Sequence, residues 1–155
     1  MKSIPLTRGM FTIVDESDYE WLNQWKWNAH NRNGKLYAAR GTTGNKTVSM
    51  HREIMKTPKG METDHRNGDS LDNRRENLRI STRMQNNQNA SIRKDSKSGY
   101  RGVHFFKPYN KWAVYIQANR KSKFLGYFTD PKEAAIAYND KAKQYFGEFA
   151  RLNQI

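Results

Sequence analysis

Two periods of apolar residues run through the chain, and the places where one gives way to the other outline its elements. "MFTIV" at residues 10–14 reads as a short strand, and "DESDYEWLNQW" after it as a helix whose opening acids suit the positive end of the helix dipole. Three pieces with strand character follow, "KWNAHN", "KLYAAR" and "KTVSMH". The turn signals "NRNG" and "GTTGN" between them predict a meander of hairpins. "HREIM" predicts a short helix ahead of the turn "TPKG", and residues 61–89 read as strand, polar loop, strand ("LRIS") and helix. Thr82 and Gln85 have the spacing of a capping box, which starts that helix at Thr82 and puts Asn86 in its first turns.

The polar stretch "ASIRKDSKSG" carries no apolar period, and residues 90–98 are expected to be a linker. Beyond it, "YRGVHFF", "KWAVYIQA" and "KSKFLGYF" are rich in aromatic and β-branched residues and predict a three-stranded antiparallel sheet. In the second of these runs Trp112, Val114 and Ile116 alternate with Ala113, Tyr115 and Gln117, so one set can face a helix and the other a ligand. The helix itself is announced by Asp130 as cap, Pro131 at its first position and Gly147 as its stop. Ala134, Ala135, Tyr138, Ala142, Tyr145 and Phe146 form its apolar stripe. The fold class that follows is α+β. A β-rich N-terminal region leads into a strand–strand–helix unit at about 61–89, within a first domain of 1–89. A three-stranded antiparallel sheet packed on one helix fills 99–155.

Length and composition change this picture in four ways. With 155 residues the chain has room for one ordinary domain or two small ones. Four Trp, eight Tyr and seven Phe supply core surface despite a low mean hydropathy, so a folded protein is expected. The absence of Cys excludes disulfides, thiolate metal sites and a Cys nucleophile, so any metal must be held by oxygen and nitrogen. The chain has no run of about 18 apolar residues, and a soluble, intracellular, cytoplasmic protein without a membrane partner is expected.

The net charge of +13 makes a polyanion the default partner. Lys and Arg outnumber Asp and Glu by 10 to 5 in residues 1–60 and by 9 to 1 in 91–124, while 61–90 balances at 5 to 5 and 125–155 at 4 to 4. The strongest basic block is also the aromatic, alternating one, which suits a nucleic-acid face better than a solvated tail.

The neutral middle holds the candidate chemistry. Hydrolysing a phosphodiester requires an activated water and stabilisation of charge on the phosphate and the leaving oxygen. A neutral His can take the water's proton and a hard divalent cation can do the rest. Asp64 can serve as the charged oxygen ligand and His65 as the base, both approaching one centre at a strand end. An amide oxygen from Asn86 would complete a sparse protein shell of the kind magnesium prefers. Asn77, with donor and acceptor on one amide, can tie the intervening loop and hold the histidine. Turn preference assigns Asn67, Gly68, Asp69, Asp72 and Asn73 to loop formation rather than catalysis.

"TDHRNGDSLDNRRENLRIST" followed by "QNNQN" resembles the HNH endonuclease family, in the branch common among phage and intron-encoded homing enzymes. The upstream pieces "IPLTRG", "VDESDYEWLNQWKW", "YAAR" and "HREIM" are similar to the N-terminal half usual in that branch. The resemblance implies a ββα-metal unit with Asp64 and Asn86 as metal ligands, His65 as general base and Asn77 as a structural Asn of the site. It also implies magnesium or manganese rather than zinc, because Asn86 stands where other branches place a His ligand. His51, in the "HR" pattern, is expected to pack or hydrogen-bond near the site.

Residues 98–153 resemble the plant ethylene-response-factor (Apetala-type) DNA-binding domain through "YRGV", "KWAVYI", "FLGYF", "EAAIAYNDKAKQYFG" and "LN". The likeness implies a sheet that enters the major groove of duplex DNA. Arg101, His104, Tyr115, Gln117, Ser122 and Phe124 fall at its DNA-facing positions, and Lys111, Arg120, Lys121 and Lys123 at phosphate contacts. Several family arginines are replaced here, at His104, Phe106, Gln117 and Ser122, so the plant domain's base preference does not carry over.

These readings converge on a metal-dependent, nicking HNH endonuclease of phage or mobile-element origin, aimed by its sheet domain. It is expected to act on double-stranded DNA as a monomer, with a dimer as the route to double-strand cutting. A non-catalytic DNA-binding regulator with a scaffold HNH fold, and an RNA-binding module, stand as alternatives.

Overall fold

A computed structural model describes residues 1–44, 46–89 and 96–155. The chain is α+β and divides into two compact bodies, Met1–Asn86 and Asn87–Ile155. Most of the linker expected at 90–98 lies outside the described residues.

In the first body β1 (Lys2–Pro5) and β2 (Phe11–Val14) form an antiparallel pair, with Ile4 opposite Thr12. The apolar pattern had not revealed β1, whose four residues include Pro5 and a single buried position. α1 (Glu16–Leu22) stops a turn short of the expected end at Trp25. Its acids do not serve the helix dipole alone. Asp15 accepts from Arg75 N at 2.8 Å, and Asp18, 2% exposed, takes two bonds of 2.7 Å from the Arg75 guanidinium.

β3 (Asn28–Arg32), β4 (Lys35–Gly41) and β5 (Thr47–Ser49) form the expected meander, and α2 (Met50–Ile54) follows at once. Ile4, Val14, Leu22, Trp27, Ala38, Met50, Ile54 and Leu78 make the core. Burying a side chain such as Leu22 or Ile54 contributes about 1.5–3 kcal/mol, and the cluster draws on six separate elements.

β6 (Glu62–His65) pairs antiparallel with β7 (Leu78–Ser81), and α3 (Arg83–Gln88) follows. The capping box forms: Gln85 Oε1 accepts from Thr82 N at 2.8 Å and Gln85 N donates to Thr82 Oγ1 at 3.2 Å. The loop between β6 and β7 is not a free turn. Ile13 N donates to Leu71 O and Asn73 N to Ile13 O, at 2.9 and 2.8 Å, so the loop meets β2 at a single parallel bridge between Ile13 and Asp72.

The second body is an antiparallel sheet of β8 (Val103–Phe106), β9 (Lys111–Ala118) and β10 (Lys121–Phe128), with α4 (Pro131–Phe146) on one face. Asp130 caps α4 by accepting from Lys132 N at 2.7 Å, and Gly147 ends it at a φ of 53°. Val103, Val114 and Ile116 meet Ala134, Ala135, Tyr138 and Ala142 in the core. Tyr145 departs from the expected stripe: 39% exposed, it accepts a hydrogen bond from Lys123 Nζ. In its place the buried Asn139 exchanges two bonds with Asn153, whose side chain in turn binds both backbone groups of Arg101. The terminal "LN" therefore staples the helix to the start of the sheet.

Candidate functional site

β6 places Glu62 and Asp64 on one face and Thr63 and His65 on the other, because successive side chains of a strand alternate. On the first face Arg79, the cross-strand neighbour of Asp64, donates through Nε and Nη2 to Asp64 Oδ2 at 2.8 and 2.6 Å. Both side chains are deeply buried, at 7% and 5% exposed. Asn86 of α3 donates its Nδ2 to Glu62 Oε2. That bond turns the amide so that Oδ1 is its remaining oxygen donor, and it brings Glu62 beside the two expected ligands.

His65 is buried and lies against two further rings. The His51 ring is 5.1 Å away centroid to centroid, and Tyr37 of β4 is 6.2 Å away. Burial pushes the His65 imidazole below its ordinary value, outweighing the Asn73 bond and nearby carboxylates that raise it. Burial, then His65, Arg52 and Arg32, hold His51 down to about 3, and its Nδ1 has no hydrogen-bond partner among the described residues. Both imidazoles are therefore neutral at physiological pH.

The tautomer of His65 follows from a chain of bonds with only one consistent direction. Thr12 Oγ1 gives its single proton to Leu71 O at 2.7 Å. It must then accept at 2.7 Å from Asn73 Nδ2, which leaves Asn73 Oδ1 to face His65 Nε2 at 3.2 Å. An amide oxygen only accepts, so His65 carries its proton on Nε2 and its lone pair on Nδ1. Thr12 and Asn73 are fully buried. Turn preference had assigned Asn73 to the loop alone, and its partner lies 61 residues away in sequence, beyond any local signal.

Asn77 accepts from Asn67 N through Oδ1 at 3.0 Å and donates from Nδ2 to Asp72 O at 2.8 Å, so one amide clasps both ends of the loop. Asp72 is held in turn by Arg74, whose Nε and Nη2 reach it at 2.8 and 2.7 Å. That bond keeps the Asp72 carboxyl below its usual range, with burial opposing.

Asp64, Asn86 and Glu62 carry the oxygen donor types that a hard cation prefers, with Asp64 Oδ2 bonded to Arg79. Among the described residues no three His, Asp or Glu side chains cluster to hold a metal.

In the second body Tyr115 and Gln117 are exposed on the sheet face away from α4, with Val114 and Ile116 beneath them in the core. His104 joins them, its ring 6.3 Å from that of Tyr115. Ser122 and Phe124 pair with Gln117 and Tyr115 on the same face. Lys111, Arg120 and Lys121 are exposed at strand ends and the β9–β10 turn. Lys123 is directed elsewhere. It pairs with the core-facing Ile116 and lies over the Tyr145 ring at 4.6 Å, on the helix side. Arg101 is half-buried, donates to Gln88 O at 3.4 Å and borders a cavity of about 380 Å³ with His104, Tyr115, Gln117, Ser122 and Tyr138.

The resemblance placed Phe106 where the family has an arginine, and Tyr109 and Tyr127 join it on this face without having been expected there. A bulge between Phe124 and Gly126 shifts the register, so Phe124 and Tyr127, three apart, emerge on one side. Gly126 permits it with a φ of 145°.

Two similarities to known proteins bear on the chain. The chain is 28% identical over 155 residues to an uncharacterized HNH endonuclease of Acanthamoeba polyphaga mimivirus, spanning 96% of this chain and 77% of the relative. No helix among the described residues is long and apolar enough to cross a membrane. Residues 56–88, which hold β6, the clasped loop, β7 and α3, match the HNH endonuclease family.

Proposed function

We propose that the protein is a metal-dependent HNH endonuclease that nicks double-stranded DNA, held on its substrate by an Apetala-type sheet in the second body. The observation that carries this reading is His65: a buried, neutral imidazole whose lone pair is fixed on Nδ1 by Asn73 and Thr12 within the segment that matches a nuclease family. Such a group can take a proton from water without first losing its own.

In this mechanism His65 Nδ1 accepts the proton of the attacking water, and Asn73 holds the resulting imidazolium by its Nε2–H. Asn77 keeps the loop that carries Asn73 closed. Asp64 and Asn86 would hold a divalent cation, magnesium or manganese, with Glu62 orienting the Asn86 amide. Such an ion would supply charge neutralisation for the phosphate and the leaving oxygen. Lys111, Arg120 and Lys121 take phosphates; Arg101, His104, Tyr115, Gln117, Ser122 and Phe124 form or border the base-reading face. A monomer makes one cut, and a phage or mobile-element setting suits such an enzyme.

The bond from Arg79 to Asp64 favours a second reading, a DNA-binding regulator whose HNH fold is scaffold, because it already neutralises the expected ligand. Supercoiled DNA incubated with the protein and magnesium or manganese separates the two, beside an EDTA control and His65→Ala. Open circles that require both metal and His65 support the nuclease. DNA that stays supercoiled yet shifts on a native gel supports the regulator.

A further inference from the structure

The exposed face of the second body's sheet is apolar to an unusual degree for a surface that meets a polyanion. Tyr109 is 61% exposed, Phe124 48%, and Tyr115 and Tyr127 slightly under two-fifths. Their rings, with Phe106, touch in one continuous patch at centroid separations of 4.8–5.4 Å. Most of these pairs are inclined at 49–76°, so the edge of one ring covers the face of the next. A platform for stacking unpaired bases needs open ring faces lying parallel to them. This patch instead presents a ridged surface of C–H groups.

The surrounding charge points to nucleic acid as the occupant. Residues 100–127 contain six Lys or Arg and no Asp or Glu, while the acids of the second body lie at Asp95, Asp130, Glu133, Asp140 and Glu148. Of the groups that base pairs offer in the major groove, the C5-methyl of thymine is the apolar one. Guanine is read there chiefly by arginine, and Arg101, which borders the face, is turned to Gln88 O. The exposed Gln117 has the donor and acceptor that match adenine's N6 and N7.

Resting on the reading that this sheet binds duplex DNA, we infer that it selects thymine-rich A·T tracts by laying the Phe106–Tyr109–Tyr115–Phe124–Tyr127 patch against thymine methyl groups, with Gln117 reading adenine. The bulge after Phe124 is what makes the patch long enough for more than one methyl.

The test uses the full chain in EDTA, so that binding is measured without cleavage. Its preferred motif is selected from a pool of random-sequence duplexes, and affinity for that motif is compared with an identical duplex carrying uracil for thymine. Uracil lacks only the methyl group. Each methyl contacted is worth about fourfold in affinity, so with two methyls contacted the uracil duplex is expected to bind about sixteenfold more weakly. Phe124→Ser/Tyr127→Ser, with its fold checked by circular dichroism, is expected to bind both duplexes alike. A G·C-rich motif, no motif, or equal wild-type affinity for the two duplexes overturns the inference while leaving duplex binding intact. Tighter binding to the single strand replaces it with stacking. Failure to bind any duplex removes the underlying reading as well.

Discussion

The first body turns its polar groups inward, and the second turns its apolar groups outward. Among the described residues eleven buried polar or charged side chains lie between Thr12 and Ser81, against three in the second body, Asn89, Asn139 and Asn153. The first body exposes Phe11 and Trp25, while the second leaves a larger set of rings in solvent, Tyr109, Tyr115, Phe124 and Tyr127 among them. Burying polar groups is costly unless each is bonded, and the first body meets that cost with directed contacts such as Thr12–Asn73–His65 and Arg79–Asp64. Exposing rings is tolerable for a fold whose core is complete without them. Under the proposed function the contrast would separate two tasks: a reacting group needs one fixed geometry, while a recognition surface needs area that stays open until the partner arrives.

Substitutions should divide along the same line. The largest effect is expected from His65→Ala, which should lower cleavage by about 10²–10⁴-fold while leaving duplex affinity within about twofold. Plasmid nicking and fluorescence anisotropy on the same preparations check both halves, and an active variant would remove His65 as base. Arg79→Ala leaves the buried Asp64 carboxylate without its partner, and urea unfolding should show a loss of about 3–5 kcal/mol. A metal ion that takes over the role of Arg79 would show itself by restoring part of that loss.

Asn73→Ala frees the His65 ring to adopt either tautomer and is expected to lower kcat on the order of 10-fold or more, with KM little changed. Acid gives a smaller, graded effect. His51 and His65 bind protons more readily in the unfolded chain, because burial lowers both in the folded one. Their contribution to stability is therefore complete above the ordinary value of 6.5 and is lost as pH falls toward the folded value, about 3 for His51. Thermal melts between pH 7.5 and 4.5 should show Tm falling below pH 6.5, and His51→Phe should flatten the fall. Smallest of all, Phe124→Ser should change stability by about 0.5 kcal/mol or less. A much larger change would mean that the exposed patch belongs to the second body's core.

How much could be read from the chain alone also differs between the bodies. Strand alternation about Val114 and Ile116, and the Asp130-Pro131 start and Gly147 stop of α4, are local signals, and the second body follows them closely. Even there a single inserted residue at the bulge moved Tyr127 to the Phe124 side, which alternation does not foresee. In the first body the order of Asp64, His65, Asn77 and Asn86 was visible, and so were the strands and capping box that carry them. Their partners were not. Thr12, Asn73 and Tyr37 are brought to His65 by tertiary pairing, and Asp15 and Asp18 look like helix-start acids until Arg75 arrives from 57 or more residues away.

The parallel pairing of β2 with the loop has a consequence for inheritance. The segment that matches the family, 56–88, looks like a cassette that recombination could lift into another gene. Moved alone, it would leave behind Ile13, which bonds Leu71 and Asn73, and Thr12, which sets the direction of the Asn73 amide. The smallest heritable unit that keeps the orientation of His65 must therefore begin upstream of Thr12, and shuffling breakpoints between β2 and β6 should be selected against.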